Sequence, residues 1–188
     1  MKGLVVFSDG QQQLIYYPDF FSHSYFEQLR DELPWQQNDI RVFGKWHREP
    51  RLTCWFGPSY TYSNIQWPTQ KFPVVLQTLS TEIQRISSFP FNAVLANFYR
   101  DGNDSMGWHS DNEPEMDTSL IASVTFGGSR VFKFRHKTTN AKLDIELLDR
   151  SLLLMHHMQS DWQHALPKSK RNMQPRINLT FRSIITGQ

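Results

Sequence analysis

The segment Arg176-Ile177-Asn178-Leu179-Thr180-Phe181-Arg182 decides the fold class, because polar and apolar residues alternate along it without a break. Successive side chains of a β-strand point to opposite faces. Ile177, Leu179 and Phe181 therefore share an apolar face, and the four hydrogen-bonding residues share the other. The pattern leaves open whether the polar face meets solvent at a sheet edge or lines an internal site.

Working outward from this segment, β-rich runs separated by Gly, Asn, Asp or Ser fill most of the chain after Pro90. The six runs are Val94–Tyr99, Leu120–Phe126, Val131–His136, Leu143–Leu148, Leu152–His156 and Ile177–Ile185. Closely spaced strands of this kind favour an antiparallel double-sheet barrel, the jelly roll or double-stranded β-helix. We expect a mainly β protein of the α+β class.

Two helices are predicted before Pro90, and we expect both to pack on one face of the barrel. Ser22 has the character of an N-cap that opens a helix ending at Pro34. After Pro73, apolar residues recur at the spacing of an amphipathic helix. These residues are Val75, Leu79, Ile83 and Ile86.

Composition limits the classes of protein to which the chain can belong. Its 188 residues, 39% of them hydrophobic, suit one domain with one core. Twenty basic and eighteen acidic residues give a net charge of +2, which by itself does not demand a nucleic-acid partner. Cys54 is the single cysteine, so an internal disulfide is excluded. The apolar run Leu4–Phe7 is too short for a signal peptide or a membrane span, so we expect an intracellular protein without a membrane partner.

A candidate metal site begins at His109-Ser110-Asp111, an H-x-D motif, and a later strand-like segment adds His164. Two histidines and one carboxylate on one face of an octahedron leave open positions for a co-substrate and dioxygen, as in non-haem iron(II) oxygenases. A surface histidine beside a capping aspartate, or a zinc site, would give the same short motif. Structural zinc sites usually use several cysteines, which this chain does not have.

The polar face of the segment 176–182 is a candidate site for a dicarboxylate co-substrate. Arg176 and Arg182 lie about 20 Å apart on a strand rising roughly 3.3 Å per residue, but long side chains can lean inward from both ends. A guanidinium binds a carboxylate bidentately. Asn97 and Tyr99 share a face of their own strand and are further candidates, although core packing would also explain Tyr99.

Several motifs occur in a fixed order along the chain: Asn97-Phe98-Tyr99, His109-Ser110-Asp111, Ser123-Val124-Thr125-Phe126-Gly127, His164 and Arg176–Arg182. In combination they resemble the AlkB-type 2-oxoglutarate- and iron(II)-dependent dioxygenases, which repair alkylated nucleic acids. Val42-Phe43-Gly44-Lys45-Trp46-His47, Pro50-Arg51 and Tyr60-Thr61-Tyr62-Ser63 are similar to the subgroup that acts on duplex DNA.

The resemblance implies roles for individual residues. Iron(II) would be bound by His109, Asp111 and His164. The co-substrate 2-oxoglutarate would be contacted by Asn97, Tyr99, Arg176, Asn178, Thr180 and Arg182. The alkylated base and its strand would be contacted by Val42, Phe43, Arg51, Tyr60, Tyr62, Ser63 and Glu113.

The resemblance also implies one AlkB-like domain over residues 1–188. Residues 1–90 would hold the helices and a nucleotide-recognition region, and residues 91–188 would form the catalytic jelly-roll core. Three basic clusters favour a surface that follows phosphates. They are Arg41, Lys45, Arg48 and Arg51; Arg130, Lys133, Arg135 and Lys137; and Lys168, Lys170 and Arg171.

We therefore expect a monomeric enzyme that uses iron(II), 2-oxoglutarate and dioxygen to remove N-methyl groups, as in 1-methyladenine and 3-methylcytosine, from double- and single-stranded DNA. It would be nuclear in a eukaryote and cytoplasmic in a bacterium. Two alternatives stay open at this point. One is an RNA demethylase, and the other is a non-catalytic β-barrel module that binds a metal or nucleic acid.

Overall fold

The computed structural model describes residues 2–42, 45–62 and 65–185, with the backbone alone for residues 41, 42, 60–62, 65 and 66. These residues form two α-helices, α1 (Phe26–Glu32) and α2 (Val74–Ser87). The strands, in chain order, are β1 (Leu4–Asp9), β2 (Gln12–Tyr17), β3 (Asp39–Val42), β4 (Lys45–Arg48), β5 (Leu52–Phe56), β6 (Tyr60–Tyr62), β7 (Ile65–Trp67), β8 (Ala93–Tyr99), β9 (Met106–His109), β10 (Met116–Gly127), β11 (Arg130–His136), β12 (Lys142–Leu147), β13 (Ser151–His156), β14 (Trp162–Leu166) and β15 (Arg176–Ile184).

Two antiparallel sheets face each other, which confirms the predicted jelly roll. The larger sheet has seven strands in the order β1-β2-β13-β10-β15-β8-β5, and the smaller has the order β12-β11-β14-β9. One apolar cluster, including Trp55, Ile121, Phe134 and Leu153, lies between the sheets. The pairs β3–β4 and β6–β7 form separate two-stranded ribbons.

Strand β15 lies in the interior of the larger sheet, between β10 and β8. Its apolar residues Ile177, Leu179 and Phe181 are fully buried in a second cluster, which also contains residues of both helices. The four polar residues of the segment 176–182 are buried as well, at 8% exposure or less. The alternative of an edge strand with a polar face in water is therefore wrong.

Both helices cover the outer face of the larger sheet, as predicted, but two details differ. Ser22 is not the N-cap of α1: the helix begins at Phe26, and the Ser22 hydroxyl lies 3.2 Å from Nδ1 of His23. In α2 the first three predicted apolar residues are buried, whereas Ile86, in the last turn, is 43% exposed. In the part of the chain that the structure describes, neither helix has the length and apolar character needed to cross a membrane.

The six predicted runs agree with observed strands to within one residue, except that β10 begins four residues early, at Met116. Residues before Pro90 add three strands to the larger sheet that the sequence analysis did not predict. Strands β1 and β2 form a hairpin whose turn uses Gly10 at a φ of +59°. Strand β5 pairs with β8 and so lies beside the strand that carries Asn97 and Tyr99.

Candidate active site

The two candidate histidines meet because their strands pair. In the register of β9 with β14, His164 is directly opposite His109, and the two imidazole centroids are 4.2 Å apart. Asp111 follows β9 by two residues, and its side chain is 2% exposed. The structure thus brings the predicted triad together from segments that are distant in the sequence.

The triad has a geometry that suits one metal ion. One ligand atom from each of His109, Asp111 and His164 can be chosen so that all three lie within 4.8 Å of one another. Nε2 of His109 is 3.8 Å from Oδ1 of Asp111, and Nε2 of His164 is 3.7 Å from Oδ2. Among the described residues this is the one such group of His, Cys, Asp and Glu. Two imidazoles and one carboxylate are suitable donors for iron(II).

The protonation states also suit metal binding. Nδ1 of His109 lies 2.9 Å from the carbonyl oxygen of Gly107, which can only accept, so Nδ1 carries the proton and Nε2 keeps its lone pair. Burial lowers the pKa of His109, and burial together with the positive charges nearby lowers the pKa of His164 to about 3. Both rings are therefore neutral near pH 7.

Asp111 is held as an anion by Arg182. The Arg182 guanidinium donates a hydrogen bond to Oδ1 of Asp111 at 2.6 Å, and both side chains are almost fully buried. Burial alone would raise the pKa of Asp111, but the positive charge of Arg182, together with the neighbouring imidazoles of His164 and His109, outweighs burial and lowers that pKa. The backbone N–H of Asp111 donates to Oε1 of Gln159 at 3.0 Å.

A pocket with a cavity volume of about 30 Å³ opens over the triad between the two sheets. Its polar lining comes from the predicted metal and co-substrate residues together with one serine: Asn97, Tyr99, His109, Asp111, Ser123, His164, Asn178, Thr180 and Arg182. Its apolar lining is Leu95, Met106, Phe132 and Met155. The structure therefore brings five of the six predicted co-substrate residues to the metal triad.

Arg176, the sixth predicted co-substrate residue, lies next to the pocket-lining Tyr99. It is 1% exposed, its guanidinium carbon is 5.4 Å from the Tyr99 ring centroid, and it donates to Oγ1 of Thr125 at 2.9 Å. Burial lowers the pKa of Arg176 to about 10, so it stays charged near pH 7. Among the described residues no carboxylate pairs with it, and its Nε has no hydrogen-bond partner. A buried cation of this kind suits the carboxylate of a bound ligand.

The sequence analysis did not identify Ser123 and Thr125, which support the predicted co-substrate residues from β10. Asn178 donates from Nδ2 to Oγ of Ser123 at 2.8 Å, and Thr125 accepts from Arg176. The sequence does indicate these two residues. In the apolar run Leu120–Phe126, Ser123 and Thr125 place two hydroxyl groups on the same face of the strand. Gln159 gave no comparable signal, since it lies in a loop.

Two of the predicted substrate residues have described side chains. Glu113 is half-buried, and its Oε2 atom is buried without a hydrogen-bond partner among the described residues. Arg51 is 3% exposed, donates to Oδ1 of Asn97 at 2.7 Å and pairs with Glu49 at 3.1 Å. Arg51 thus contacts a pocket-lining side chain from outside the pocket.

The other predicted substrate residues lie in or beside the two ribbons. Val42 ends β3, opposite Lys45, and Tyr60 and Tyr62 lie in β6, all three with only the backbone described. Phe43 and Ser63 are outside the described residues.

The sequence analysis predicts that the three basic clusters form a surface that follows phosphates, but several of their cations are buried or paired. In the second cluster, Arg130 is 4% exposed and donates to the carbonyl oxygens of Asp101, Asp104 and Pro167. Lys133 pairs with Asp144, and Lys137 donates to two carbonyl oxygens. These cations stabilise strand and loop contacts. Lys45 and Arg48 in the first cluster, and all members of the third, are exposed.

Comparisons with known proteins agree with the site. The profile of the family described as "2OG-Fe(II) oxygenase superfamily" matches residues 13–182. The mouse protein "Alpha-ketoglutarate-dependent dioxygenase alkB homolog 3" is 38% identical over 192 residues, which cover 93% of this chain and 67% of that protein. The bovine "DNA oxidative demethylase ALKBH2" is 38% identical over 159 residues, covering 78% of this chain and 57% of that protein. The Arabidopsis thaliana protein "DNA oxidative demethylase ALKBH2" is 30% identical over 198 residues, which cover 87% of this chain and 62% of that protein.

These relatives are longer than the region they share with the chain, which spans between 57% and 67% of their length. The profile match nevertheless extends from β2 into β15 and includes the triad, the pocket and both arginines. The chain belongs to the 2OG-Fe(II) oxygenase superfamily.

Proposed function

We propose that this chain is an iron(II)- and 2-oxoglutarate-dependent dioxygenase that removes N-methyl groups from DNA bases such as 1-methyladenine and 3-methylcytosine. The single observation that carries the proposal is the buried triad His109, Asp111 and His164 beside a buried arginine, Arg176, that has no carboxylate partner among the described residues. A metal site in the pocket and a buried cation behind the pocket-lining Tyr99 match a co-substrate that chelates iron and ends in a second carboxylate. The names of the relatives agree with this chemistry.

The co-substrate residues that flank the pocket have distinct tasks in this proposal. The guanidinium of Arg176 would bind the distal carboxylate bidentately, and the Tyr99 ring would pack against the guanidinium. Asn97 is directly opposite Asn178 across β8 and β15, and it would donate amide hydrogens to the co-substrate. Nδ2 of Asn178 already donates to Oγ of Ser123 and to the carbonyl oxygen of Val124, so Asn178 would contact the co-substrate as part of the pocket wall. Iron(II) held by His109, Asp111 and His164 would, with 2-oxoglutarate and dioxygen, supply the oxidation of the N-methyl group, which would leave the base as formaldehyde.

The remaining pocket residues control the surroundings of the reaction. Arg182 keeps Asp111 ionised, so the triad offers one negative charge to the metal. Leu95, Phe132 and Met155 line the pocket with apolar surface, which limits water near the reacting carbon. The protein's contribution is thus placement and exclusion of water, while the cofactor performs the oxidation.

Selection of the base is assigned to Glu113, Tyr60 and Tyr62. A methyl group on a Watson–Crick edge is hidden in a duplex, so the base must be flipped out, and a lesion that already prevents pairing is easier to flip. The buried Oε2 of Glu113 could accept a hydrogen bond from an exocyclic amino group of the flipped base. The two tyrosines would stack against the base, with Ser63 beside them.

Contact with the nucleic-acid strand is assigned to the β3–β4 ribbon. All four residues of β4, Lys45–Arg48, are exposed, and Trp46 is 67% exposed. Val42 and Phe43, which precede Gly44 and Lys45 in the sequence, would fill the gap left by a flipped base in a duplex. Residues 1–90 would thus contain the nucleotide-recognition region, although β1, β2 and β5 belong to the sheet that carries the proposed co-substrate residues.

The exposed cations Lys168, Lys170 and Arg171 would contact phosphates, with Lys45 and Arg48. Both single- and double-stranded DNA are proposed as substrates, with the protein acting as a monomer inside the cell, in the nucleus of a eukaryote or the cytoplasm of a bacterium.

The test is mass spectrometry of oligonucleotides that carry 1-methyladenine or 3-methylcytosine. Single- and double-stranded DNA and the matching RNA are incubated with protein, iron(II), 2-oxoglutarate and ascorbate. We expect loss of the methyl group from DNA, no turnover by Asp111→Ala, and unchanged turnover by Asp144→Ala. This control lies on β12 of the smaller sheet, where the Asp144 side chain is 51% exposed.

Other outcomes would contradict the proposal in recognisable ways. Wild-type turnover and metal content in Asp111→Ala would overturn the triad. Demethylation of RNA with none of DNA would replace the proposal by the RNA alternative. Metal binding without turnover on any substrate would indicate a non-catalytic module.

A further inference from the structure

Gln159 makes a direct contact with the metal triad from the loop between β13 and β14. It is 1% exposed, and its Oε1 accepts a hydrogen bond from the backbone N–H of Asp111 at 3.0 Å. Since a backbone N–H can only donate, this contact determines which side-chain amide atom faces Asp111. The neighbouring Ser110 hydroxyl donates to the carbonyl oxygen of Trp162 at 2.9 Å.

These two hydrogen bonds join both halves of the candidate metal site. One partner of each bond lies in the H-x-D motif, and the other lies in the segment 159–162 that leads into β14 and His164. The motif and the second histidine are therefore held together by strand pairing on one side and by Gln159 on the other.

The loop that carries Gln159 is itself anchored. Nζ of Lys137 donates to the carbonyl oxygens of Gln159 at 2.9 Å and Ser160 at 2.6 Å. The backbone N–H of Trp162 donates to the carbonyl oxygen of Met158 at 3.0 Å. These contacts fix the backbone of the loop at Gln159, so the side chain starts from a defined position beside Asp111.

The other half of the amide is costly to bury. Nε2 of Gln159 is buried with no hydrogen-bond partner among the described residues. A buried donor without a partner lowers the free energy of unfolding, whereas an apolar side chain of the same length would not carry that cost. Stability alone therefore does not explain an amide at this position.

We propose that Gln159 is a positioning residue for the metal ligand Asp111. By accepting from the Asp111 N–H, it fixes the backbone after β9 at the angle from which the carboxylate faces both imidazoles. Residues that orient a metal ligand typically change metal affinity by about 10- to 100-fold when they are replaced. The inference rests on the proposed metal site and adds a residue to it.

The experiment measures manganese(II) binding to the full chain by isothermal titration calorimetry, with manganese as an air-stable substitute for iron(II). Gln159→Met keeps the side-chain length and removes the acceptor, and Gln159→Glu keeps an oxygen acceptor. Gln163→Met is the matched control: that amide accepts from Arg135 at 3.0 Å and is partly exposed. Thermal unfolding of each metal-free variant is recorded in parallel.

We expect Gln159→Met to bind manganese(II) about 10- to 100-fold more weakly than wild type. Its metal-free unfolding temperature should stay near that of wild type, because the lost acceptor is offset by removal of the unsatisfied Nε2. Gln159→Glu should bind more tightly than Gln159→Met, and Gln163→Met should match wild type.

Two results would overturn the inference and are distinguishable from failure of the proposed function. Unchanged manganese affinity in Gln159→Met, with binding still abolished by Asp111→Ala, would leave the metal site intact and remove Gln159 from it. Equal losses in Gln159→Met and Gln163→Met would indicate a general packing effect. If wild type itself binds no metal at the triad, the proposed function and this inference fail together.

Discussion

Arg176 and Arg182 lie on one face of β15, but their surroundings predict opposite effects of substitution on the ligand-free protein. Arg176 has no carboxylate partner among the described residues, whereas Arg182 pairs with Asp111 at 2.6 Å. Replacing Arg176 with methionine removes a buried charge that has no counter-ion. Replacing Arg182 with methionine leaves the buried Asp111 without its cation. We predict that the first change stabilises the metal-free protein and the second destabilises it.

The magnitude for Arg176→Met follows from its burial. Burial lowers the pKa of Arg176 to about 10, and this depression corresponds to roughly 3 kcal/mol of unfavourable free energy for the charged form. Removing the charge relieves this cost, but losing the hydrogen bond to Thr125 lowers the free energy of unfolding by about 1–2 kcal/mol. The net increase in the free energy of unfolding is then about 1–2 kcal/mol.

For Arg182→Met the expected sign is reversed, since breaking a buried ion pair by removing one partner typically costs about 3–5 kcal/mol. In both variants the affinity for 2-oxoglutarate should fall. Loss of a buried charge-assisted contact worth roughly 2–4 kcal/mol weakens binding about 30- to 1000-fold.

Urea unfolding of protein treated with a chelator measures the stabilities, and calorimetric titration of 2-oxoglutarate in the presence of manganese(II) measures the affinities. The reasoning would be refuted if Arg176→Met were destabilised as much as Arg182→Met. It would also be refuted if Arg176→Met bound 2-oxoglutarate as tightly as wild type, because the buried cation would then have no ligand to bind.

Three further predictions concern His164, Cys54 and Phe43. Because the pKa of His164 falls from its ordinary 6.5 to about 3, the unfolded chain takes up a proton that the folded chain does not, so metal-free stability should decrease as pH falls from about 6.5 towards 3. Urea unfolding at several pH values measures this, and a slope that His164→Gln leaves unchanged would contradict it. Burial raises the pKa of the Cys54 thiol, so a chromogenic disulfide reagent should label it only after unfolding, and rapid labelling of the folded protein would exclude the buried position. Phe43→Ala should reduce repair of duplex DNA much more than repair of single strands, since single strands have no gap to fill. Equal losses on both substrates would contradict this gap-filling role and would indicate that Phe43 contributes to folding.

The catalytic half of the fold was predictable because its strands carry local signals. Runs such as Val131–His136 are rich in β-formers and end at turn residues, and the observed bounds agree to within one residue. Strand β5 has no such signal: Leu52–Phe56 does not alternate, and its hydrogen bonds come from β8, more than thirty residues later in the chain. Pairing between distant segments, which no local pattern records, determines that strand.

In the candidate site, too, some features could be predicted from local sequence and others depend on contacts between distant segments. The ligand types and their spacing were visible, because H-x-D and a later histidine are chemically distinctive. The pairing of Arg182 with Asp111 was not visible, because the residues lie 71 positions apart and the sequence offered both arginines equally as co-substrate ligands. Gln159 was missed for the same reason: its function depends on one backbone N–H of a distant segment.

Charge was the least predictable property, because a sequence gives the sign of a side chain but not its partner. Arg51 was grouped with Lys45 and Arg48 as a phosphate contact, yet it is 3% exposed and pairs with Glu49, which also accepts from Thr53. Since Arg51 also donates to Asn97, the cation joins the residues that follow the β3–β4 ribbon to a side chain that lines the pocket. A phosphate could reach Arg51 only if this buried pair opened, so the exposed cations of the first cluster, among its described side chains, are those on β4.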